Sequence, residues 1–338
     1  MILTPQFKTG TVPGFAGGNN VGLLQTLVTW LTSNPGVSGL DWSLEFDDEA
    51  RDDDGTTSSY GSTYREVILY NDGLSGNENI FIGMREFYYI SSQLYGWNLN
   101  GYTSLPSTWN GAAATTHQLS DFSSTTKSWT MLPSLQLFNA EMAYWFYATS
   151  EFVFVAVRVG SSYYQCYLGN GARLGSPESY PYPLVIAGSE RGDTSYQDGG
   201  FGPVRPMNDI NECSNFIVDP AGTFKKFSGD LLVIPMQANT NTSPLVTSPN
   251  GAAILMPVFY ITDTNVTCVQ LYNVAAYRNL NTQSEEEVVD SDSNLWRIFA
   301  QGKNDYEYDW LAVLEQQNYT TTTTTVTSTS STTTTTTV

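Results

Sequence analysis

The run from Ala143 to Val159 restricts this chain more than any other segment. Tyr144-Trp145-Phe146-Tyr147 leads into a turn near Ala148–Glu151, and Phe152–Val159 follows, apolar except for Arg158. Two strand-length runs of aromatic and β-branched residues around a short polar turn read as a central buried hairpin. Tyr163–Leu168 continues it. A hairpin of this kind is stable only if other elements cover it.

The flanking sequence offers strands to do so. Trp42, Leu44 and Phe46 alternate with Ser43, Glu45 and Asp47. Glu66–Tyr70, a turn at Asn71-Asp72-Gly73, Asn79–Tyr89 and Tyr95–Tyr102 then read as an antiparallel meander. Further strands are expected at 231–235, 253–261, 266–277, 295–299 and 306–314. One helix is expected. Leu23, Leu24, Leu27, Val28 and Leu31 recur at helical spacing, with Asn20 as a cap and Asn34-Pro35-Gly36 as a stop.

Composition agrees with this pattern. Aromatic residues reach 13% and charged residues only 14%, the latter about half the usual share. Aromatics and Thr suit a half-buried pleated surface, and Gly and Asn suit its turns. The expected fold class is mainly β: antiparallel meander or sandwich-like sheets, one short N-terminal helix and long Gly/Pro loops. The expected divisions are an irregular arm at 1–19, a β-rich domain at 20–168, and a Gly/Pro-rich loop region at 169–215. A second β-rich part at 216–318, open to being the same domain, and a Thr/Ser-rich tail at 319–338 complete the chain. Residues 103–134 read as a long Ser/Thr-rich connection.

Charge and motifs remove several functions. The net charge is −19, and the densest basic spot is Lys225-Lys226. No cationic footprint for nucleic acid or an anionic membrane surface is visible. No 18-residue apolar stretch and no signal peptide are read. Cys166, Cys213 and Cys268 are scattered and form no CxxC pair, so free thiols are expected rather than zinc. His117 is the only histidine, in a Ser/Thr-rich stretch, and no Gly-x-Ser-x-Gly elbow accompanies it. The acidic stretch Asp47–Asp54 reads as a hairpin loop. It fails as an EF-hand, since Ala50 and Gly61 would fall at ligand positions one and twelve. Asp47, Asp48, Asp52 and Asp54 could still gather Ca²⁺ outside that motif.

Gly169-Asn170-Gly171-Ala172-Arg173-Leu174-Gly175 has the wrong glycine spacing for a dinucleotide loop and reads as a turn. Arg191-Gly192-Asp193 reads as a chance match. Asn241, Asn265 and Asn318 head glycosylation patterns that carry little meaning without a secretion signal. No pair of carboxylates is singled out for glycoside hydrolysis. No catalytic residue, cofactor or metal is therefore expected.

Two stretches carry a resemblance. The first runs Glu66-Val67-Ile68-Leu69, Gly73 to Arg85 (GLSGNENIFIGMR), then Tyr95-Gly96-Trp97-Asn98-Leu99-Asn100-Gly101-Tyr102. The second is Tyr167-Leu168-Gly169, then Tyr180-Pro181-Tyr182-Pro183-Leu184-Val185-Ile186-Ala187-Gly188-Ser189. With the closing segment 302–313 they resemble virion structural proteins of tailed bacteriophages, over about residues 20–315. The resemblance implies a tail, baseplate or neck component of the virion, made in the host cytoplasm and acting by protein–protein assembly. The partners implied are other virion proteins and further copies of the chain. Interface candidates are Trp97, Tyr102, Tyr180, Tyr182 and Phe201, aromatic residues of the kind enriched at interfaces, with Thr321 and Thr333 in the tail. A glycan-binding protein on a fibre is the alternative reading, and a glycoside hydrolase a further one.

Overall fold

The computed structural model describes residues 3–13, 22–33, 40–48, 65–89, 94–102, 133–138, 140–174, 183–188, 215–218, 224–226, 231–234, 255–262, 267–278, 286, 288–291, 294–300 and 309–316. Among these residues the chain is mainly β, with three antiparallel sheets and a single helix.

The middle sheet contains, in spatial order, β1 (Gln6–Val12), β7 (Met142–Ala148), β8 (Phe152–Val159), β9 (Ser162–Asn170), β11 (Leu184–Ala187), β12 (Asn215–Val218) and β13 (Phe224–Lys226). The meander sheet contains β2 (Ser43–Asp48), β3 (Glu66–Asn71), β4 (Ile80–Tyr89), β5 (Leu94–Tyr102) and β6 (Ser134–Leu137), in sequence order. The C-terminal sheet runs β14 (Leu231–Ile234), β15 (Leu255–Thr262), β16 (Thr267–Arg278), β19 (Asp309–Gln316), β18 (Asn294–Ala300) and β17 (Val288–Ser291). Off that path, β10 (Ala172–Arg173) also pairs with β16.

Side chains alternate across a strand, so β7, β8, β9 and β11 of the middle sheet feed two cores. Phe146, Val153, Val155, Val157, Cys166 and Leu168 face one core with the meander sheet and the helix. Tyr147, Phe152, Phe154, Tyr163 and Tyr167 face the other core with the C-terminal sheet. Both faces of β7 and β8 are therefore dry, which is why these strands read as continuous apolar runs rather than alternating ones. A third apolar cluster, Ala275, Tyr277, Trp296, Ile298, Ala312 and Leu314, is buried on the other face of the C-terminal sheet.

The helix α1 (Leu23–Thr32) buries Leu23, Leu24, Leu27, Val28 and Leu31 as one stripe. Trp30 packs on Phe146 with ring centroids 5.9 Å apart. Gly22 occupies the N-cap without a side-chain hydrogen bond, and Asn20, the expected cap, lies outside the described residues.

Two expectations change. Residues 6–12 of the supposed irregular arm form β1, an edge strand paired to β7 in unbroken register. The loop region 169–215 contains β10 and β11, and β11 lies between β9 and β12 inside the middle sheet. The short strands β6, β12, β13 and β17 carry too few residues for a period to show. The middle sheet thus draws strands from the arm, the first β-rich part, the loop region and the residues beyond it.

One irregularity matters for the site. Between Ala275↔Pro257 and Gln270↔Phe259, β16 carries four residues against one on β15. Asn273 in this bulge has φ 57°. A bulge swings neighbouring side chains out of the regular alternation. Here it turns the Asn273 amide onto residue 3: Leu3 N donates to Oδ1 at 2.8 Å, and Nδ2 donates to Leu3 O at 2.9 Å.

Candidate functional site

The densest buried polar cluster lies where all three sheets meet. Glu151 ends the turn between β7 and β8. Its N–H donates to Thr149 Oγ1 at 3.0 Å, and Thr149 N donates to Phe152 O at 3.0 Å. This local bonding fixes the turn, and Glu151 is only 3% exposed.

From the meander sheet, the turn between β3 and β4 reaches across. Gly73 and Gly76 have φ 69° and 66°, values that glycine adopts without steric cost. Gly73 N donates to Asn71 Oδ1 at 2.8 Å, Glu78 N to Asp72 O at 2.8 Å, and Leu74 N to Glu151 Oε1 at 2.7 Å. From the end of β9, Asn170 Nδ2 donates to Glu78 Oε2 and, at 3.1 Å, to Glu151 Oε2. Arg173 on β10 stands 3.8 Å from Glu78 Oε1. Gly169, at φ 132°, lets β9 lie against β8; a Cβ there would sit 2.4 Å from Glu151 O and 2.6 Å from Phe152 Cα.

The Asn170 amide nitrogen bridges the two carboxyls, Glu78 and Glu151. Burial raises the Glu78 carboxyl above its ordinary 4.5, the charge of Glu151 raises it further, and Arg173 pulls it back. Tyr272, on the β16 bulge, is pushed up to about 12 by burial and then by the charges of Glu151 and Glu78. Tyr167 donates to Asn170 O at 2.5 Å, and its phenol is held well above the ordinary range, first by burial. Phe152 stacks on Tyr167 at 5.1 Å and on Tyr272 at 6.5 Å.

Chemically, this cluster is a latch. A glycosidase pair stands roughly 5–9.5 Å apart with the sugar between its carboxyls. One amide nitrogen, Asn170 Nδ2, joins Glu78 to Glu151, and Glu151 is buried.

A second tie joins the middle sheet to the C-terminal sheet. Arg297 on β18 forks onto Glu315 on β19, Nε to Oε2 at 2.5 Å and Nη2 to Oε1 at 2.8 Å. Tyr147 Oη donates to Glu315 Oε2 at 3.2 Å. Tyr147 is raised well above the ordinary phenol range by burial and then by the charge of Glu315. Glu286, at φ 64°, accepts from Arg158 Nη1, from Tyr163 Oη at 2.7 Å, and through its carbonyl from Arg297 Nη1 at 2.7 Å. Arg158 also lies over the Trp145 ring at 5.8 Å.

Of the sequence-predicted interface residues, Trp97 and Tyr102 are described, and both are buried. They sit on β5 at 0% and 2% exposure. Tyr102 fills the space above Gly83, where a Cβ would meet its ring at 2.6 Å. Trp97 enters the core shared with the middle sheet, while Tyr102 lies on the opposite face of β5, packed over Gly83. Tyr180, Tyr182, Phe201, Thr321 and Thr333 lie outside the described residues, as do His117, Cys213, Asp52 and Asp54. The Asp47 carboxylate accepts from Arg65 Nε at 2.8 Å and Nη2 at 2.6 Å. Asp48 ends β2. Cys166 is a buried free thiol pushed far above its ordinary range by burial. Among the described residues no group of three or more His, Cys, Asp or Glu is placed to hold a metal. No helix of the described residues is long and apolar enough to cross a membrane.

Sequence reading missed Glu78 and Glu151. Glu151 carried a signal, as the acid in the tight turn between the two most apolar strands. The segment 169–173, set aside as a turn, carries Asn170 and Arg173 into the latch.

Fold and ties together define a three-layer antiparallel β protein fastened by buried polar bridges. No protein-family model matches the chain, and no curated protein matches it.

Proposed function

We propose that the protein is a structural component of a tailed-phage particle, in the tail, baseplate or neck, acting by protein–protein assembly. The observation that carries this reading is the middle sheet, covered on both faces and bridged to both outer sheets by buried polar groups. Such a body resists shear between its layers, which suits a load-bearing role. The resemblance over residues 20–315 supplies the particle. Glycan binding has less support: the large apolar side chains exposed among the described residues are Phe7, Leu44, Leu74 and Leu174, none of them a Trp or Tyr platform.

The test is antibody labelling of purified particles in the electron microscope, with mass spectrometry of the same preparation. Label confined to the tail, baseplate or neck is the expected result. Particles without the chain would overturn the proposal, and reproducible binding on a glycan array would favour the fibre alternative. Removal of residues 320–338 is expected to lower incorporation into particles and leave the melting temperature unchanged.

A further inference from the structure

The edges of the three sheets are not treated alike. An unpaired edge exposes backbone donors and acceptors, and folded proteins blunt such edges with short strands, charges or bulges. In the middle sheet β13 has three residues, two of them Lys225 and Lys226. In the meander sheet β6 has four residues. Its other edge, β2, is interrupted between Leu44 and Phe46 and carries Glu45, Asp47 and Asp48. In the C-terminal sheet β14 and β17 have four residues each, and β17 includes Asp290.

β1 is different. It has seven residues, an unbroken register against β7 and one charge, Lys8. Its far edge has no partner among the described strands. The strand is also held ready, since the Asn273 amide clamps Leu3 in the manner of a neighbouring strand. Phe7 stacks on Tyr147 with centroids 5.9 Å apart and remains 44% exposed.

We infer that β1 pairs antiparallel with β1 of a second copy of this chain, about a two-fold axis through Thr9, joining two middle sheets into one. The register follows from symmetry. A two-fold axis normal to the sheet keeps each residue on its own face, so it must pass through a residue and its own copy. An axis at Lys8 sets two lysines directly opposite, which is unfavourable. An axis at Gly10 pushes the start of β1 past the end of its mate. An axis at Thr9 keeps all seven residues paired: Gln6 with Val12, Phe7 with Thr11, Lys8 with Gly10, and Thr9 with Thr9. The half-exposed Phe7 then packs on the partner's Thr11, and the two lysines lie apart. A self-complementary patch of this kind closes as a dimer and does not propagate.

The purpose of this contact rests on the assembly reading above, while its geometry does not. Its test uses purified full-length protein alone, so an unlabelled particle and a missing dimer are separate results. Light scattering on a sizing column should give twice the 37.2 kDa of one chain. Thr9→Lys, at an exposed position, should give one chain mass with an unchanged melting temperature. Under mild oxidation Thr9→Cys should form a covalent dimer beyond any formed by the wild type. Opposed residues lie roughly 4.5–5.5 Å apart at Cα, within the roughly 4.4–6.8 Å that a disulfide spans. Thr11→Cys should not, because its copy is displaced by roughly 14 Å along the strand. A monomer at all micromolar concentrations would overturn the inference and leave the edge to a different chain. So would a dimer that survives Thr9→Lys, or one that Thr11→Cys links and Thr9→Cys does not.

Discussion

The two polar ties of the middle sheet solve the same mechanical problem with opposite electrostatics. The Glu78–Glu151 latch brings like groups together and depends on the Asn170 amide that bridges both. The Arg297–Glu315 fork brings opposite charges together with two parallel hydrogen bonds and uses Tyr147 as its link to the middle sheet. The first tolerates burial because backbone and amide donors reach the carboxyls. The second tolerates it because each charge meets its complement. They should therefore fail in different ways, the latch when the raised Glu78 carboxyl ionises or its backbone is crowded, the fork when one partner is removed.

The largest effect is expected at the backbone of the latch. Gly169→Ala forces a Cβ against the Glu151 carbonyl and the Phe152 Cα at a φ of 132°. It should cost about 4 kcal/mol, read as the shift in urea midpoint, or prevent folding. Next is the fork. Arg297→Met leaves Glu315 partly buried and unpaired and should cost about 3 kcal/mol. The double variant Arg297→Met/Glu315→Leu should recover most of that loss, and a double no more stable than the single would mean that the fork acts through packing instead.

The smallest effects separate the ties by pH. The carboxyl of Glu78 is raised in the folded state, so between its ordinary 4.5 and its folded value the unfolded chain has released a proton that the folded chain keeps. Its contribution is complete below 4.5 and is lost as pH rises through the folded value. Glu78→Gln stays neutral and should flatten that alkaline loss, with a gain of about 1 kcal/mol at the alkaline end of the range. A control is built into the meander sheet. Glu86 on β4 is buried and pushed to about 8, chiefly by burial and against a smaller downward pull from Arg65. The same sign applies, so wild-type stability falls from pH 4.5 to about 8 on this account also. Thermal melts of Glu86→Gln, Glu78→Gln and the double across pH 5–9 divide the slope between the two sites. An unchanged slope in the double would sink the assignment of the slope to these two raised carboxyls.

Much of the fold was legible because it is local. The β7–β8 hairpin, the meander from β2 to β5 and the stripe of α1 each state their period within one segment. Strands as short as β12, β13 and β17 state none, and β1 was masked by the glycines and proline of its surroundings. The site was far less legible. Glu78, Glu151, Asn170 and Arg173 are ordinary polar residues in turns, and their spacing along the chain says nothing of their meeting. Trp97 and Tyr102 show the converse, since aromatic identity alone does not tell core from surface.

By itself, then, the sequence determined that the chain is β-rich, acidic and built around one apolar hairpin, because period and turn chemistry act over a few residues. Only the tertiary structure decided that the hairpin sits in a middle layer, that Glu78 and Glu151 meet there across the Asn170 amide, and that β1 forms an edge with no further partner among the described strands. Those outcomes depend on which distant segments pack together, and packing follows from the whole set of buried faces rather than from any one of them.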